Sequence, residues 1–178
     1  NGKVRDILIQ PDGKILVAGD FKVDIDADDD GINDFQIRDL IRLNPDGSRD
    51  TSFLPGITST VNCGEIFSIA LQNDNKIIVG GTIENCFGDS SNAHIYRLEA
   101  DGSIDTTFSA TVDNTISFKR VNKVIIQQNG KIIIGGNFNK INGIDSDYLA
   151  RLDIDGSLDA TFGVSDALNS KVYDMAIQ

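Results

Sequence analysis

The stretch ILIQPDGKILVAGDF, Ile7 to Phe21, decides the fold, because it returns as IALQNDNKIIVGGT from Ile69 and as VIIQQNGKIIIGGNF from Val124. A further copy, KVYDMAIQ, starts at Lys171. Between these lie RLNPDGSRDTSF from Arg42, RLEADGSIDTTF from Arg97 and RLDIDGSLDATF from Arg151, spaced 55 and 54 residues apart. Self-similarity at about this period marks a stacked array of small supersecondary units, each unable to bury its own apolar face alone. What recurs in every copy is read as scaffold, and function is sought where the copies differ.

Each copy folds into two hairpins. Val4 to Gln10 and Lys14 to Asp20 are β-rich runs around Pro11, Asp12 and Gly13, a three-residue loop of the type I turn plus G1 bulge kind. Asn75 and Gly130 stand where Gly13 does, both residue types that tolerate the left-handed conformation. Leu40 to Asn44 and Ser48 to Phe53 form the second hairpin around Pro45, Asp46 and Gly47. That turn predicts a register: Asn44 opposite Ser48, Leu43 opposite Arg49, and Arg42 opposite Asp50, with Arg97 and Asp105, and Arg151 and Asp159, as repeats of the last pair. An opposite-charge pair in the same place in every unit is read as a latch rather than as a ligand site. Phe53, Phe108 and Phe162 close the units as apolar wedges between neighbouring sheets.

Four antiparallel strands repeating every 55 residues predict an all-β chain of β-propeller blades, since helical repeats would need a 3.6-residue apolar period. Residues 1–60, 61–118 and 119–170 make three blades, and 171–178 the first strand of a fourth. The two motifs Q-P-D-G-K-I-L-V-x-G and R-L-N-P-D-G-S-x-D-x-x-F also resemble the delta-60 repeat, a bacterial β-propeller family of unknown function. The resemblance implies secreted or surface-attached bacterial proteins, extracellular and often multidomain, and supplies no catalytic residues. Propellers close with more blades than three. The expected partners are therefore further blades of a longer chain, or copies of this one completing a ring or filament.

The net charge of −11 repels nucleic-acid phosphates and anionic lipid, and no apolar run is long enough to span a bilayer. Cations are favoured company, and the insert of the first repeat, 24–34, offers them a site. Asp26, Asp28, Asp30, Gly31 and Asp34 read D-x-D-x-D-G-x-x-D, the front of a calcium loop, to which the Ile32 carbonyl would add a ligand. The segment resembles the loops of dockerins and thrombospondin type 3 repeats. Ile37 occupies the twelfth position, so Asp24, Asp39 or water would have to complete the shell; the alternative is a solvated acidic loop. The D-I-D-G-S-L-D segment at Asp153 is read as turn chemistry. Cys63 and Cys86 flank the first two strands of the second repeat on one face, which allows a disulfide, or leaves two thiols.

His94 is the one histidine. It stands where Asp39 and Tyr148 stand in the sister repeats and is read as an exposed residue at a strand end. No G-x-S-x-G, H-E-x-x-H or phosphate-cradling loop is present, so the chain is expected not to be an enzyme. The expectation is a structural or adhesive module stiffened by calcium. The alternative is a propeller that holds carbohydrate or a surface protein on the variable loops 21–35, 82–93 and 137–147, with a glycoside-active enzyme a more distant third.

Overall fold

The computed structural model of the chain describes residues 2–25, 35–55, 64–84, 94–113, 118–163 and 168–177. Among them are twelve strands: β1 (Lys3–Ile9), β2 (Ile15–Ile25), β3 (Phe35–Leu43), β4 (Ile66–Leu71), β5 (Ile77–Gly81), β6 (Ile95–Leu98), β7 (Val112–Asp113), β8 (Arg120–Ile126), β9 (Ile132–Asn137), β10 (Lys140–Ile141), β11 (Ile144–Asp145) and β12 (Leu149–Leu152). Nine of them build three antiparallel sheets in simple up-and-down order, β1-β2-β3, β4-β5-β6 and β8-β9-β12, and the other three a small fourth. The repeat read from sequence is thus a repeat of sheets. The hairpin turns are those expected: Gly13, Asn75 and Gly130 have φ of 82°, 66° and 83°, and Gln10 N–H donates to the Lys14 carbonyl at 2.8 Å.

The fourth strand of each repeat is short. Leu43 bridges Arg49, Leu98 bridges Ile104 and Leu152 bridges Leu158, each a single antiparallel bridge. The ladder ends there because the next residue is the latch aspartate. Asp50 Oδ1 accepts the Ser52 N–H at 3.0 Å and the Ser52 hydroxyl at 2.6 Å, turning the chain away from the sheet. Asp105 with Thr107 and Asp159 with Thr161 do the same.

The sheets pack face to face. One core joins Leu16, Ala18, Leu40 and Phe53 of the first repeat to Ile66, Ile69, Ile77 and Val79 of the second. Another joins Ala70, Ile78 and Ile95 to Val121, Val124, Ile132 and Ile134. All five residues of β5 are buried, as a strand covered on both faces must be. Burying one such isoleucine contributes roughly 1.5–3 kcal/mol. The glycine pairs divide their labour here. A Cβ on Gly80 would lie 2.7 Å from Val121 Cγ1 of the next sheet, and one on Gly81 only 2.0 Å from the Glu65 carbonyl oxygen. The first permits sheet-to-sheet contact and the second a bulge in the neighbouring strand.

The predicted latch is present and has more members than expected. Arg42 Nε reaches Asp50 Oδ2 at 2.7 Å, as does Arg97 with Asp105 and Arg151 with Asp159. Lys14, Lys76 and Lys131 bind the same oxygens at 2.7, 2.6 and 2.7 Å. Each guanidinium also lies over the wedge phenylalanine of its own repeat, 4.6 Å from Phe53, 5.0 Å from Phe108 and 4.6 Å from Phe162. The latch then extends to the next sheet. Arg42 Nη1 donates to the Ala100 carbonyl at 2.6 Å, Arg97 Nη1 donates to the Ile154 carbonyl, and Leu54 N–H donates to the Asp101 carbonyl at 3.0 Å.

Residues 171–177 form no strand, although they repeat the β1 sequence. The segment nevertheless docks in place: Val172 N–H donates to the Gly136 carbonyl at 3.1 Å, and Val172 and Met175 press on Gly135 as Val121 and Val124 press on Gly80. The insert of the third repeat is ordered differently again. β10 and β11 form a small hairpin that pairs with β7, the stretch leaving the second repeat.

Candidate functional site

The first strands of the three sheets lie side by side and form the inner edge of the array. Each carries a β-bulge at the same place. The register slips between Val4 and Asp6, between Ile66 and Ser68, and between Val121 and Lys123, so Arg5, Phe67 and Asn122 are the extra residues. A bulge re-aims its side chain, and these three, with Tyr173 from the docked terminal segment, line one open cavity of about 620 Å³. Arg120, Lys123, Asp6, Glu65 and Asp174 complete its wall. Its size suits a small ligand.

The charges in this cavity are mostly committed. Arg5 Nη2 binds Glu65 Oε2 at 2.7 Å. Asp6 Oδ2 accepts the Ile69 N–H at 2.9 Å and lies 3.2 Å from the Ser68 hydroxyl, which in turn accepts the Val124 N–H at 3.2 Å. These bonds stitch β1 to β4 and β4 to β8 through the backbone amides of Ile69 and Val124. In the third repeat Lys123 replaces the acceptor and sits 3.6 Å from the exposed Asp174 carboxylate. The guanidinium groups of Arg5 and Arg120 both lie over the Phe67 ring, at 5.2 and 5.5 Å.

A second recurrent position lies on the third strand: His94 and Tyr148 immediately precede β6 and β12, and Asp39 sits within β3 where its register with β2 slips. Asp39, His94 and Tyr148 share left-handed backbone, with φ of 63°, 58° and 64°. His94 is not the exposed residue expected from sequence; it is 1% exposed. Bending left-handed at the strand entry turns the side chain under the sheet rather than out to water. Burial lowers the imidazole pKa against the pull of Glu84, whose Oε1 lies 3.1 Å from Nε2. Asp39 is buried too, and its carboxyl is pushed up to about 6 by desolvation, although the Phe21 N–H bonds it at 3.1 Å.

The calcium-loop residues Asp26, Asp28, Asp30, Ile32 and Asp34, and both Cys63 and Cys86, lie outside the described residues. Of the substitutes named for the twelfth position, Asp24 accepts a 2.6 Å bond from Gln36 Nε2 and Asp39 faces Phe21, on strands that extend well into the expected 21–35 loop. Asp46, Asp101 and Asp155 each accept the N–H and hydroxyl of the serine two residues on, which accounts for their turns. Among the described residues, no three His, Cys, Asp or Glu side chains are gathered to hold a metal, and no helix is long and apolar enough to cross a membrane.

Sequence reasoning missed the cavity because each repeat contributes only two or three residues to it, about 55 residues from those of the next, and their letters differ. The signal was present all the same: the glycine opposite each bulge, Gly19, Gly81 and Gly136, recurs in all three copies.

Stacked four-strand units with inner-edge bulges and outer latches define a β-propeller. The profile described as "Domain of unknown function (DUF5122) beta-propeller" matches residues 10–53, 72–108 and 127–162, and the chain belongs to this family. No curated protein matches it. Among solved structures, one described as a "putative gluconolactonase" is similar at 17% identity and a TM-score of 0.45, over 87% of this chain. The chain spans 46% of that structure's length. This finding corrects the expectation that the chain is not an enzyme: a similar structure has been given an enzyme's description, so that exclusion is withdrawn. The physical reason it failed is that a search for short linear motifs cannot see a site assembled from separate strands. The likeness is too remote to assign a substrate or a catalytic residue here.

Proposed function

We propose that this chain is part of a larger extracellular β-propeller, a structural or adhesive module of a bacterial surface or secreted protein that docks further blades or further copies of itself. One observation carries the reading. Val4, Ile7 and Ile9 on β1 are 56%, 58% and 72% exposed, whereas their counterparts Ile66 and Ile69, and Val121 and Val124, are buried against the preceding sheet. The same face that is an interface twice in this chain is open a third time, and a stripe of that kind marks a contact surface. Light scattering of the purified chain tests it. The expected mass is a multiple of the 19.3 kDa chain, reduced to one chain by Ile7→Lys, while a monodisperse monomer of the unaltered chain would sink the self-docking form of the reading.

Calcium on the 24–34 insert belongs to the same proposal and is supported by the D-x-D-x-D-G-x-x-D spacing. Calorimetry should show binding that Asp26→Ala and Asp30→Ala abolish; a flat titration of the unaltered chain disposes of it. A bridge between Cys63 and Cys86 predicts no free thiol without reductant, and two titratable thiols would refute it. The second reading, a ligand-binding propeller, gains support from the inner-edge cavity rather than from the variable loops.

A further inference from the structure

We propose that the inner-edge cavity binds a small ligand through a free carboxylate, held by Arg120 with Lys123 beside it. The proposal rests on the ligand-binding reading and names its chemistry. It starts from the uneven pairing of the charges that line the cavity. The carboxylate of Glu65 is taken by Arg5 at 2.7 Å, and that of Asp6 by the Ile69 amide and the Ser68 hydroxyl. Arg120, half-buried on β8, has neither an ion pair nor a side-chain hydrogen bond among the described residues; its guanidinium rests on the Phe67 ring 5.5 Å away. An aromatic face orients a guanidinium without using its N–H fork, which is left to meet a planar two-oxygen acceptor.

Lys123 strengthens the case from the same strand. Its only ion-pair partner among the described residues is Asp174, 3.6 Å away and largely in solvent, a contact worth little. Three cations, Arg5, Arg120 and Lys123, and three carboxylates, Asp6, Glu65 and Asp174, line one cavity of about 620 Å³, enough for a molecule the size of a hexose acid, and of the three cations Arg120 is the one with no ion pair among the described residues. The repeat explains how the site arises: in the second repeat the residue matching Lys123 is Ser68, an acceptor that stitches strands, and its replacement by a cation gives up that stitch.

The test follows the Arg120 Nε–H resonance by NMR in the intact chain at constant ionic strength, with sodium acetate against acetamide, and galacturonate against methyl galactoside. The expected result is a saturating shift with both carboxylates and none with their neutral counterparts. Arg120→Gln should weaken galacturonate binding, read on the Phe67 and Asn122 amides, by about tenfold or more, the worth of a charge-assisted contact. Arg120→Lys, which keeps the charge but loses the fork, should fall between. Equal shifts from methyl galactoside and galacturonate would overturn the carboxylate assignment while keeping a ligand site. No shift from any of the four probes would overturn both.

Discussion

The outer latch and the inner bulge recur with equal regularity and treat their letters in opposite ways. At the latch, Lys14, Arg42, Asp50, Ser52 and Phe53 are met again as Lys76, Arg97, Asp105, Thr107 and Phe108. At the bulge the backbone is the same three times, yet the residues are Arg5, Phe67 and Asn122. The latch is one closed arrangement: one aspartate oxygen takes Lys and Arg, the other takes the Ser or Thr hydroxyl and amide, and no member can change without leaving a buried partner unsatisfied. The bulge side chains each find a different partner, Arg5 the Glu65 carboxylate, Phe67 the two guanidinium groups and Asn122 the Val172 carbonyl at 2.6 Å, so the backbone is constrained while its chemistry varies. Repetition in geometry without repetition in residues is the mark of a surface available for specialisation.

The largest effect should come from breaking the latch where it is most buried. Asp105→Ala would strip Lys76 and Arg97 of their shared acceptor, and the Arg97 side chain is only 7% exposed. Removing one partner of a buried pair costs about 3–5 kcal/mol, so urea denaturation should show a drop of that order. Asp159→Ala should cost clearly less, because the Arg151 side chain is 21% exposed and its Nη1 has no carbonyl of a next sheet to hold among the described residues. Equal losses at the two positions would show that the link to the next sheet adds nothing to the latch.

Next in size is the glycine facing the bulge. In Gly81→Ala the new Cβ would sit 2.0 Å from the Glu65 carbonyl oxygen, a backbone atom that cannot swing aside. Overpacking of this kind costs on the order of 1–3 kcal/mol, and the denaturation midpoint should fall accordingly. Since Gly19 and Gly136 meet the Lys3 and Arg120 carbonyls at 2.0 and 2.1 Å, alanine there should be punished alike. A harmless Gly81→Ala would mean that the bulge backbone is as free as its letters.

Much of this was legible in the sequence, and the division between what was and was not has a physical basis. The turn chemistry at Pro11 to Gly13 and Pro45 to Gly47 fixed the register, and with it the pairing of Arg42 with Asp50, because hairpin contacts are local and a turn type dictates them. The lysine of the latch was less visible. Lys14 meets Asp50 from the other hairpin, 36 residues away, and only its threefold recurrence after the turn glycine or asparagine hinted at it. The cavity was not legible at all, since it is made by packing one sheet on the next. The buried state of His94 escaped for a similar reason: left-handed φ is uncommon at any non-glycine residue, even at a histidine, where it is less rare, and only the alignment with Asp39 and Tyr148 marked the position as special.

That position gives a pH test in which two sister sites oppose each other. The folded-state pKa of Asp39 is raised to about 6, above its unfolded value. The native state therefore holds a proton that the unfolded chain has lost, and stability should decline as pH rises from about 4 to 6. His94 is lowered, so its contribution is full above its unfolded value near 6.5 and is lost as pH falls through the lower folded value. Asp39→Asn should flatten the first slope and His94→Gln the second, measured as denaturation free energy against pH. The latch aspartates act only in stronger acid: Asp50 and Asp159 are held far below the usual carboxylate range, first by Lys14 and Lys131, and Asp105 likewise although burial opposes it. Their contribution is present above their unfolded value near pH 4 and lost as pH falls toward the folded one.

The smallest effect is the sharpest test of the contrast between latch and bulge. Arg5→Gln removes an ion pair to Glu65 that has the same 2.7 Å length as the latch contacts. Distance alone would rank them equal. Both Arg5 and Glu65 are about one third exposed, however, where water screens the pair and the long side chain loses rotamer freedom to make it. The loss should therefore be within about 1 kcal/mol, and Glu65→Gln on its own or in combination should add little, which a double-mutant cycle would resolve. A coupling as large as that between Arg97 and Asp105 would place the inner edge within the scaffold. A coupling near zero leaves Arg5 as a residue whose position is fixed by the bulge and whose charge is available to whatever enters the cavity.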